Sequence, residues 1–266
     1  MLSLFNNKSL LDEDATQWLF DAYAWALGNF GSDFFHEETI LVTPTSRHFP
    51  CRVNSRESMA ASVFEQVAGY AGMQNWPFRL VEPGPDFVPA SPSSITFNGA
   101  PRGPAASLSL DGEIKDLTIT YTPEQTRDPS VLAALFSLNL AAHLGRATDE
   151  PPPGDEELRG HATDLLAIFM GFGLFLANNA VMVRSGCSGC GRSVQSMGFL
   201  SEDEMTYGLA LFCVLKEIPN QEALPHLKRP LRPLFKKAVK EISANRAGVG
   251  RLLAIDRPIK SIPDVS

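Results

Sequence analysis

Cysteine is scarce in this sequence. Among 266 residues there are four, Cys51, Cys187, Cys190 and Cys213. Four thiols so unevenly placed do not make a disulfide-stapled scaffold, and they fit a reducing compartment. Positive charge is in the minority. Lys and Arg number 23 against 30 Asp and Glu, a net charge of -7. A groove for nucleic acid is not expected from that balance. No glycine-rich phosphate loop, nucleophile elbow or dinucleotide fingerprint is present, which removes the common nucleotide-binding and α/β-hydrolase chemistries. The opening "MLSLFNNKSLLDEDATQ" lacks the basic region, apolar run and small-residue cleavage site of a secretory leader. Together these absences predict a soluble, cytoplasmic protein.

What is present suits a folded core. Hydrophobic residues make up 44% of the chain and charged ones 20%, an ordinary globular balance. We expect a single domain over 1–266, with a helix-and-strand part to 122, a helical part over 123–250 and an irregular tail over 251–266. Apolar residues at helical spacing predict helices over 11–29 and 55–73, with Asp12 or Asp14 in the first turn of one and Ser55 capping the other. Short strands are expected over 38–44, 77–82, 94–99, 105–112 and 114–122. In the last of these Leu117, Ile119 and Tyr121 share a face. The Asp111-Gly112 pair between the final two strands signals a hairpin.

After Pro123 the pattern turns helical. Asp128-Pro129 supplies an N-cap followed by proline at the first helical position, and Gly145 is placed to stop that helix. The acidic, proline-rich "ATDEPPPGDEE" leads into a long buried central helix over 156–184. Ser201 and Glu204 have capping-box spacing at the start of a helix over 201–218, and another covers 231–245. The order predicts an α+β fold, a mixed, mostly antiparallel sheet followed by a helical half. The stretch 165–183 is 19 residues long with only Asn178 and Asn179 polar, at the low edge of a membrane span. Its polar lead-in, its glycines and the globular remainder favour a core helix, and no span is expected.

Chemistry-bearing residues gather around the joint between the first two helices of the second half. The phrase "NLAAH" ends in His143, and "GHATD" carries His161 and Asp164. A zinc helix of the His-Glu-x-x-His type sets two histidines on one face with a glutamate beside them as general base. Counting back from His143, the first ligand position is Asn139 and the base position is Leu140. The sequence over 114–180 resembles the zincin metallopeptidases, especially the gluzincin branch. The likeness lies in strands before a helix ending "AAHLG", then a second helix bearing "HATD". The resemblance implies a zincin-like fold and a degenerate member with an incomplete motif. Leu140 takes no proton and Asn139 is a poor zinc ligand, and a lost general base costs about 10²–10⁴-fold in rate.

A rebuilt site would use His143, His161 and Asp164. Two histidines and one carboxylate suit zinc or, with open positions, non-haem iron, which would make the chain a non-peptidase metalloenzyme. Another reading is a non-catalytic adaptor or regulatory protein that binds a protein partner through the old cleft or the "CSGC" loop. Cys187 and Cys190 form one CxxC pair with no second pair to complete a zinc site. His36, Glu37 and Glu38 are a further cluster, expected on an exposed loop. The basic run over 226–240 reads as a solvated helix face.

Overall fold

In a computed structural model, residues 9–50, 55–84, 87, 94–110, 115–184 and 193–255 are described. Local signals start several of the helices. Asp12 caps α1 (Glu13–Asn29), its carboxylate accepting from the Ala15 amide at 2.8 Å. Ser55 caps α3 (Arg56–Ala71) by accepting from the Ser58 amide at 3.1 Å. A short helix that the spacing did not predict, α2 (Ser32–Glu37), lies between them.

The strands are few and short. β1 (Phe78–Val81) and β4 (Leu117–Thr120) pair in parallel, while β2 (Ile95–Phe97) and β3 (Leu108–Leu110) pair antiparallel. The expected hairpin between β3 and β4 does not form, since each pairs with an earlier strand; Asp111 and Gly112 lie outside the described residues. Leu117, Ile119 and Tyr121 do share a buried face. The stretch 38–44 joins no ladder. There the Val42 amide donates to the Gly171 carbonyl at 3.0 Å instead.

The helical half supplies the larger part of the core. Asp128 and Pro129 start α4 (Pro129–Arg146), and Gly145 lies inside it rather than ending it. A methyl group at Gly145 would sit 3.2 Å from Leu166, so the glycine permits close packing on α5 (Arg159–Ala167). The long helix expected over 156–184 is broken. A π-turn (Ile168–Phe172) follows α5, α6 (Gly173–Asn179) ends the run, and Val181–Arg184 becomes β5. The break falls at Gly171, with φ +99°, where a β-carbon would meet the Ile40 carbonyl oxygen at 2.2 Å. Glycine is required for that approach. The whole stretch Asp155–Asn179 is long and apolar enough to cross a membrane, yet 83% of its apolar window is buried inside the molecule.

β5 pairs antiparallel with β6 (Ser193–Ser196). The Ser201–Glu204 capping box opens α7 (Glu202–Leu215) as predicted. Then come α8 (Asn220–Ala223), α9 (Leu231–Ala244) and α10 (Arg246–Leu253). α9 buries Leu231, Phe235, Ala238 and Ile242 and turns Lys236 and Lys240 to solvent, as the basic run predicted. One hydrophobic cluster runs from Leu11 to Leu252. The architecture is mixed and mainly helical, an α+β arrangement.

Candidate functional site at the joint of two helices

The acidic, proline-rich link between α4 and α5 is docked by two tryptophans. Trp18 donates its indole N–H to the Pro153 carbonyl and Trp25 donates to that of Glu150, both at 2.8 Å. This holds the ends of α4 and α5 side by side. Between them lies a cavity of about 220 Å³, walled by Trp25, Pro152 and Leu166 and carrying Thr163, Arg146 and Arg159. Arg159 is tied to Glu156 by a two-pronged ion pair, with Nε at 2.7 Å. Arg146 is exposed and forms no ion pair among the described residues.

The residues compared above with a zinc helix point elsewhere. Asn139 donates its amide to the Leu135 carbonyl at 2.8 Å, a bond back along its own helix. Leu140 is fully buried in the core. His143 faces the first strand pair, its ring 5.9 Å from that of Phe78. Its Nδ1 is buried without a hydrogen-bond partner. Burial, helped by the neighbouring Arg146 charge, lowers its pKa to about 4, so the ring is neutral at physiological pH.

His161 and Asp164 share α5 and look away from Phe78. The His161 ring lies between Trp18, at 6.1 Å, and Phe199, at 5.8 Å. Its Nδ1 is also buried without a partner. Asp164 accepts from the amides of Phe199 at 2.6 Å and Leu200 at 2.8 Å, just ahead of α7. Two glycines allow this seating. A β-carbon at Gly198 would lie 2.4 Å from the Asp164 carboxylate, and one at Gly160 would lie 2.6 Å from the Phe199 ring. Burial raises the Asp164 pKa to about 6, although both amides and His161 pull it down.

The structure therefore keeps His161 and Asp164 close enough on α5 for the histidine to act on the carboxyl, and sets His143 against Phe78. Among the described residues, no three His, Cys, Asp or Glu side chains gather into a group that could hold a metal ion. Cys187 and Cys190 lie outside the described residues. His36 is half-buried in the last turn of α2 rather than on a loop. Sequence reasoning missed Arg102, which is fully buried in contact with Phe34 and Phe169. The only signal was an arginine within "GAPRGP", a phrase that reads as an exposed turn. No family model, curated protein or solved structure matches this chain.

Proposed function

We propose that this chain is a degenerate, zincin-like relative of the metallopeptidases that binds a ligand or protein partner and does not cut peptides. The observation that carries the reading is Leu140. At the position of the general base stands a fully buried aliphatic side chain, and a metal-bound water there would find no group to take its proton. Asn139 is occupied with its own helix, so the first ligand is lost as well. What remains at the joint is the cavity beside Arg146 and Arg159. A concave, mostly apolar site with a few charged groups is a binding site in its general form.

The test is direct. Purified protein, supplied with zinc, is incubated with a mixed peptide library and the products are read by mass spectrometry. We expect no cleavage that depends on His143. Cleavage by the wild type that disappears in His143→Ala overturns the reading. Installing the missing motif is a poorer test, because Leu140→Glu would place an unpaired carboxylate in the core. The competing reading is a non-peptidase metalloenzyme using His143, His161 and Asp164. It requires His143 to leave Phe78, and it predicts a stoichiometric metal in elemental analysis that His143→Ala removes.

A further inference from the structure

Arg102 is the bulkiest fully buried side chain among the described residues. Its guanidinium is held in one plane by two hydrogen bonds. Nε donates to the Ala71 carbonyl at 2.8 Å and Nη2 to the Thr39 hydroxyl at 3.0 Å. Two aromatic rings cover it, Phe34 at 4.7 Å and Phe169 at 5.3 Å. Among the described residues the third nitrogen, Nη1, is buried with no hydrogen-bond partner, and Arg102 enters no ion pair.

Unusual backbone converges on this one group. Phe34 lies against Gly72 and Gly103, at φ +71° and +93°, and a β-carbon at either would sit 2.5 or 2.8 Å from its ring. Phe169 belongs to the π-turn that breaks the central helix. Such turns cost helical regularity and recur at functional sites. Two left-handed glycines and a π-turn thus build the aromatic enclosure around the guanidinium.

The neighbourhood is positive. Lys216 donates its ammonium to the carbonyls of Phe35 and His36. Its pKa is lowered by burial and by the Arg102 charge. His36 carries a second buried nitrogen without a partner, Nε2. Its pKa is lowered by burial and by Lys216. The acids that act on these groups, Asp33 on His36 and Glu38 on Lys216, are exposed. A buried cation without a counter-charge is costly. Ring faces relieve it only in part, since they are quadrupoles and not charges.

We propose that Arg102 Nη1 is the binding point of a small inorganic anion of halide size, with Lys216 adding to the surrounding positive field. Arg102 is buried, and that burial favours a small ion over a bulky organic acid. The proposal stands apart from the peptidase question, since it involves neither α4 nor α5.

Thermal unfolding is followed in sodium chloride and in sodium gluconate at matched ionic strength, gluconate being too large to enter. We expect the melting temperature to rise by about 2–4 °C for each tenfold increase in chloride above its dissociation constant. Arg102→Met should remove that dependence. Equal melting in the two salts overturns the proposal, as does a chloride dependence that survives in Arg102→Met. A wild-type crystal soaked in bromide gives an independent answer even if Arg102→Met does not fold. An anomalous peak within hydrogen-bonding distance of Nη1 supports the site. Its absence, meaning a water molecule or nothing at that nitrogen, overturns it.

Discussion

Asp164 and Arg102 are both ionisable and both enclosed, each 2% exposed, and the fold provides for them differently. Asp164 receives two backbone amides from the segment leading into α7. These are charge-assisted bonds to a carboxylate, among the stronger interactions a fold can make. Arg102 receives one carbonyl, one hydroxyl and two ring faces, and one of its nitrogens is left over. The carboxylate ties two elements together. The guanidinium is covered without being neutralised. Burial of charge can therefore mark a structural clasp or a site that awaits an ion, and the count of satisfied donors and acceptors separates the two.

The largest effect should come from breaking the clasp. Asp164→Ala leaves the Phe199 and Leu200 amides without their acceptor, and we expect a loss of about 2–4 kcal/mol in urea unfolding. Asp164→Asn keeps an acceptor oxygen and should cost about 1 kcal/mol or less. If the two variants lose the same stability, the amide bonds are not what Asp164 contributes.

The same operation on Arg102 should have a smaller effect. Arg102→Met keeps volume and removes the charge. Without chloride it should lie within about 1 kcal/mol of wild type, or above it, because an unpaired buried charge is replaced by an apolar side chain. A loss as large as that of Asp164→Ala would show that the guanidinium's two hydrogen bonds outweigh its desolvation.

The smallest net effect should appear in the pH dependence of the wild type, where the shifts of Asp164 and His143 oppose each other. The Asp164 pKa is raised from 3.8 to about 6 on folding, so its contribution is complete at low pH and is lost as pH rises through about 6. The His143 pKa is lowered from 6.5 to about 4, so its contribution is complete above 6.5 and is lost as pH falls toward 4. The two slopes oppose each other between pH 4 and 6. Unfolding measured across that window should rise more steeply with pH in Asp164→Asn than in wild type, and less steeply in His143→Leu. Identical slopes in all three proteins would exclude both shifts.

Much of the local structure was legible. Asp12, Ser55, Asp128-Pro129 and Ser201 with Glu204 each start a helix where the spacing indicates. These signals act within a few residues, through bonds to the first free amides of the helix. The buried face of β4 followed from its alternation in the same way. Pairing was not legible. Asp111-Gly112 suggested a hairpin, yet β4 runs parallel to β1, a partner 39 residues earlier in register. Long-range pairing is chosen by which faces can be buried together, and a turn dipeptide does not carry that information.

The candidate site divides along the same line. That Leu140 takes no proton and Asn139 is a poor zinc ligand is written in the chain, because the identity of a side chain limits its chemistry wherever it lies. That His143 turns to Phe78 while His161 and Asp164 turn to Trp18 and Phe199 belongs to the packing of α4 and α5 against different neighbours. Helix starts, the buried strand face and the inability of Leu140 to act as a base were set by the sequence alone, since each depends on neighbours along the chain or on one side chain's chemistry. The tertiary structure alone decided the break at Gly171, the separation of the histidines and the burial of Arg102 within "GAPRGP". Each of those depends on which distant surface arrives to cover it.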